Sequence, residues 1–139
     1  MPKNNTSTLE VRPASTITAD AMSAAQQVEI EGIDGRRYLA EAYGDGPLVV
    51  ARIREGQAHV WSITHRPSGW SIGDATKDAR YYFDTFDADA LEHACRVRDE
   101  LLAIPHDWTA ADPRRDASDE TMAAVRAVWA REHARRGEL

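Results

Sequence analysis

Leu48-Val49-Val50-Ala51-Arg52-Ile53-Arg54-Glu55-Gly56 and, closely following, His59-Val60-Trp61-Ser62-Ile63-Thr64-His65 form the stretch on which the fold turns. In the first half Val49, Ala51 and Ile53 fall on one face, Arg52 and Arg54 on the other. This period of two belongs to a strand, whose successive side chains point to opposite sides. Glu55-Gly56 turns the chain. His59 to His65 is the return strand, with Trp61 and Ile63 on the same face as the two histidines. Arg66-Pro67-Ser68-Gly69 then suits a type I turn, because proline presets φ at the second position.

Upstream, Val28-Glu29-Ile30-Glu31 alternates in the same way, and Ile33-Asp34-Gly35-Arg36 is a hairpin signal, since tight hairpin turns need positive φ. Tyr38 to Tyr43 returns, and Gly44-Asp45-Gly46-Pro47 is the next break. Downstream, Trp70 to Gly73 and Arg80 to Phe86 are the last expected strands, separated by the polar loop Asp74 to Asp78.

Beyond the strands the period changes. Asp87 suits an N-cap, and Leu91, Ala94, Cys95, Leu101 and Leu102 recur at helical spacing until Pro105 stops the helix. Ser118 can cap a second helix, with Asp119 and Glu120 favourable at its positive end and Met122, Val125 and Trp129 as a narrow apolar stripe. The expected fold class is therefore α+β. An antiparallel meander of five or six strands packs on a helix, and a second C-terminal helix completes the layer or reaches toward a partner. The expected organisation is a disordered arm at 1–27, too polar to repay the entropy of ordering, and a single domain at 28–139. Within that domain the sheet covers 28–86 and the helices 87–104 and 118–136.

The length, 139 residues, and the 42% hydrophobic content suit one domain with its own core. Cys95 is the single cysteine, so no internal disulfide forms, which fits a reducing compartment. The first twenty residues lack an apolar signal core and no window has a membrane helix's apolar run, so a cytoplasmic location with no membrane partner is expected. Net charge is -6, with eleven acids against four bases between Phe83 and Glu120. Such a balance argues against strong non-specific nucleic-acid binding while leaving room for a local basic face.

Few motifs carry chemistry. Gly69-Trp70-Ser71-Ile72-Gly73 matches the G-x-S-x-G pattern of serine hydrolases, but that motif needs a strand-to-helix turn and here another strand is expected. The expected arrangement has Trp70 and Ile72 facing the core and Ser71 facing water. His59 and His65 stand six residues apart on one strand, about 20 Å, too far to share a metal. Asp89 and His93 at helical i, i+4 spacing are half a metal site at most, and a surface pair is the simpler reading. Cys95 lies on the apolar stripe with no helix N-terminus to activate it. With no phosphate loop, CxxC or HExxH present, the expectation is no catalytic residue, no metal, no cofactor and no enzyme.

Surface recognition remains. With Trp61, Ile63, Trp70, Ile72, Tyr81 and Phe83 directed toward the helix, Arg52, Arg54, Arg80 and Tyr82 are expected to point away from it with Ser62, Thr64 and Ser71. Arginines and an aromatic on an open sheet face suit nucleic acid or a protein partner, although a solvated antiparallel face carries such residues in any case.

The run His59-Val60-Trp61-Ser62-Ile63-Thr64-His65-Arg66-Pro67-Ser68-Gly69-Trp70, then Phe83-Asp84-Thr85 and a helix with Ala90 and Ala94, is similar to small uncharacterised proteins of actinobacterial phages and other mobile elements. It also resembles the AP2-like arm-site-binding domains of phage integrases. Those are small antiparallel sheets followed by a helix, whose strands read DNA with basic residues. The resemblance covers about half the chain and implies Arg52, Arg54 and Arg80 as strand-face contacts. The expected function is a non-catalytic binding or accessory module, borne by a phage or mobile element, that contacts nucleic acid. The alternatives are a regulator or inhibitor of a host protein, engaging a basic partner through the acidic stretch Asp84 to Glu120, and a homo-oligomer formed through Met122 and Trp129 of the second helix.

Overall fold

The computed structural model describes residues 17, 25–32, 35–55, 57–73, 83–84, 89–112 and 117–135. Among these residues four full strands run β1 (Gln26–Glu31), β2 (Arg37–Tyr43), β3 (Leu48–Glu55) and β4 (Ala58–His65), all antiparallel in chain order, with a two-residue β5 (Phe83–Asp84) beside β4. Helices α1 (Ala90–Leu102) and α2 (Asp119–Arg135) follow. The α+β class with an antiparallel sheet and two helices is as expected. The expected strand Trp70 to Gly73 shrinks to a single bridge, Thr64↔Ser71. Two further bonds, His65 N–H to Trp70 O and Ile72 N–H to Ile63 O at 2.8 Å each, lay this segment along β4.

The two hairpins do not form one flat sheet. β3 and β4 pair along their whole length, but β2 meets β3 only at Ala42↔Ala51 and Tyr43↔Val50. Extended flat, those registers put Glu31 and Arg66 at opposite ends of the sheet, roughly 30 Å apart. Instead Glu31 N–H donates to Arg66 O at 3.0 Å and Arg66 Nε donates to Glu29 O at 3.0 Å. The first hairpin therefore folds back across one face of the second, pivoting on the corner after Tyr43. Chains that change sheet at such corners are the usual route to crossed packing. Gly69 sits where the layers touch. Its φ is +78°, and a Cβ there would lie 2.2 Å from Glu31 O, so no other residue fits without a shift.

Two cores result. Between the hairpins, Val28, Ile30, Ala40, Ala42, Val49 and Ala51 are buried together. On the other face of β3 and β4, Leu48, Val50, Trp61 and Ile63 meet α1 through Ala94, Val97 and Leu101, and α2 through Val125, Val128 and Trp129. Each large apolar side chain so buried contributes about 1.5–3 kcal/mol. Ser118 caps α2 as expected, its Oγ accepting from Thr121 N–H at 3.0 Å.

α1 turns a slightly different stripe inward from the one expected. Ala90, Ala94, Val97, Arg98 and Leu101 are buried, while Leu91 and Leu102 are half-buried. Arg98 is fully enclosed, and its guanidinium donates to Leu48 O at 2.9 Å, Asp99 Oδ1 at 2.8 Å and Asp45 Oδ1 at 3.2 Å, as well as to Asp45 O. A buried cation is tolerable when its donors meet oxygen atoms in this way. Arg98 thus ties α1 to the corner between β2 and β3. Asp99 also accepts from Ile17 N–H at 3.2 Å, which holds that residue of the expected arm against α1. Trp129 has no exposed surface and stacks on Phe83 with ring centroids 5.7 Å apart. The expected oligomer contact through Trp129 is corrected on this point, because its ring is spent on the chain's own core.

Candidate functional site

The placement of the sheet arginines corrects the sequence expectation. Arg52 stands directly opposite Trp61 and Arg54 opposite His59, and cross-strand partners share a face. Trp61 belongs to the core under the helices. Arg52 and Arg54 therefore point to the helix side, beyond the end of the helix cover, and not away from it. Alternation separates the two faces of a strand but does not say which one the helices take. The face opposite is closed by the first hairpin, and Ser62 and Thr64 are buried on it. Arg80 and Tyr82 lie outside the described residues, as does Tyr81.

Arg52 is exposed but bonded within the sheet, its Nη1 3.5 Å from Glu41 Oε1. On the same face of the first hairpin, Arg37 reaches Glu31 at 3.2 Å and Glu29 at 3.9 Å. Leu39 lies among these charges and is 65% exposed, the most open of the large apolar side chains described. It also forms one wall of a groove of about 410 Å³ whose other walls include Gln27, Glu29, Gly46 and Arg66.

The serine motif is not an active-site elbow. Ser71 turns inward, its Oγ 2.7 Å from Ser62 Oγ, while Trp70 is 37% exposed and Ile72 packs at the margin of the core. The expected arrangement of Trp70 and Ser71 is therefore reversed, because the segment pairs with β4 at Ser71 and puts that hydroxyl beside Ser62. Burial raises the Cys95 thiol to about 12, with Asp99 adding to the effect and Arg98 opposing it. That leaves it a packing group and not a thiolate.

Three features escaped the sequence reading. His65 is fully buried, with Nδ1 2.7 Å from Ser68 Oγ and Nε2 2.7 Å from Trp108 O. Glu132 is fully buried between the helices, where it meets His93 Nδ1 at 3.0 Å and Arg96 Nη2 at 3.2 Å. His93 thus takes a carboxylate from α2. Arg98 is the third, and a signal for it existed, since it stands at i+4 from Ala94 on the buried stripe. Among the described residues no three His, Cys, Asp or Glu side chains converge in a way that could hold a metal ion. No described helix is long and apolar enough to cross a membrane. No protein-family model matches the chain, and no curated protein or solved structure matches it either.

Proposed function

We propose that this chain is a non-catalytic protein-binding module that engages a basic protein partner through the outer face of its first hairpin, around Leu39. The observation that carries this reading is an exposed leucine among glutamates that already hold the neighbouring arginines. An isolated apolar anchor within a polar rim is the usual anatomy of a protein contact. Phosphate binding needs uncompensated positive charge, and here Arg37 and Arg52 are each matched by carboxylates. The net charge of -6 favours encounter with a cationic partner.

The test is retention on the immobilised protein, with host proteins and labelled DNA or RNA offered separately at about 0.15 M salt. Retention of one basic protein, lost in Leu39→Glu at unchanged melting temperature, is the expected result. Retention of nucleic acid that disappears in Arg52→Ala/Arg54→Ala and ignores Leu39→Glu would overturn the reading in favour of a nucleic-acid interface.

A further inference from the structure

Ile17 is held on α1 by its backbone and its side chain together. Its N–H points between the two carboxylate oxygens of Asp99, 3.2 Å from Oδ2 and 3.4 Å from Oδ1. Its side chain packs at the margin of the helix-side core. The fit against the corner after β2 is close, since a Cβ added to Gly44 would lie 3.1 Å from Ile17 Cδ1. The chain is therefore pinned at a defined point on the helix, and residues 1–16 lead away from it.

A groove of about 380 Å³ opens beside that point. Glu92, Arg96, Asp99 and Ala103 line it, at positions i, i+4, i+7 and i+11 along one face of α1, with Cys95 and Glu100 flanking. From Asp99 back to Glu92 the helix rises about 10 Å, which an extended chain covers in about three residues. Thr16, Ser15 and Ala14 match that length, and Arg12 then arrives at Glu92. Pro13 suits the path, because it fixes its own φ and keeps the preceding Arg12 extended.

Charge agrees with length. Of the acids in the groove, Asp99 is engaged by Arg98, and Glu100 by Arg131 and Arg135. Glu92 is exposed and has no ion pair among the described residues. Arg12 is the sole charged residue between Val11 and Ala19.

We propose that the groove on α1 seats the chain's own arm, with Arg12 to Thr16 laid extended from Ile17 toward Glu92. The arm is then a tethered ligand of the helix. Tethering gives it a high effective concentration, so any outside segment must displace it to reach α1. This contact is independent of the Leu39 surface.

The experiment uses the full chain with a spin label at Val11→Cys, Cys95 being buried and left unlabelled. Expected is loss of the amide NMR signals of Glu92, Cys95 and Arg96, with those of Gly44 and Asp45 at the corner retained. Glu92→Lys, an exposed change that repels Arg12, should restore the Cys95 and Arg96 signals at unchanged melting temperature. Equal loss around Gly44 and Cys95, as an arm swinging freely about Ile17 would give, or loss that persists in Glu92→Lys, would overturn the proposal. Loss seen when spin-labelled chains are mixed with separate isotope-enriched chains would assign the groove to a second copy and overturn it too.

Discussion

Between the two hairpins the facing side chains are Val28, Ile30, Ala40, Ala42, Val49 and Ala51, whereas the core beneath the helices includes Trp61, Phe83, Trp108 and Trp129. The layer between the hairpins is filled by alanine, valine and isoleucine, and the layer beneath the helices by large rings as well. The two layers should fail in opposite ways, the one beneath the helices by losing volume and the one between the hairpins by gaining it.

Removing the ring of Trp129 is the largest expected perturbation. Its side chain is wholly buried against Phe83, so Trp129→Ala should cost about 3–5 kcal/mol in chemical denaturation. A loss under about 1 kcal/mol would mean the helices contribute little to the fold. Next comes Ala51→Leu, which adds volume where Ala51 faces Ala42 and Ser62 across the ladder. It should cost about 1–3 kcal/mol through overpacking. A neutral or stabilising result would show the hairpins separate more easily than their contacts suggest. The smallest effect is expected for Arg52→Ala, which removes a solvent-exposed pair with Glu41 and should change stability by under about 0.5 kcal/mol. A larger loss would place Arg52 within the helix-side core and blur the boundary between the layers.

The parts legible in the sequence were local. Alternation in Val28 to Glu31 and Leu48 to Arg54, and the glycine turns between them, foretell β1 to β4 to within about two residues. The folding of one hairpin over the other has no local signature. It depends on Glu31 meeting Arg66, thirty-five residues apart in the chain. The side that Arg52 takes is not local either: Leu48 and Val50 are as apolar as Val49 and Ala51, so the pattern of β3 suits burial on either face. Arg98 and Glu132 were missed because charged residues on helices usually face water. Only their three-dimensional partners, Asp45 and Asp99 for one and His93 and Arg96 for the other, make burial tolerable.

The bonds from Arg66 to β1 have a consequence for solubility. β1 stands at the end of the strand order, where unsatisfied peptide groups ordinarily invite another chain to add on. Here Glu29 O and Glu31 N–H on its outward side are already taken by the side chain and carbonyl of Arg66. A guanidinium across the margin of the sheet leaves an incoming strand neither a continuous template nor an uncharged approach. The same residue that closes the crossed hairpins thus occupies two of the peptide groups that an added strand would need.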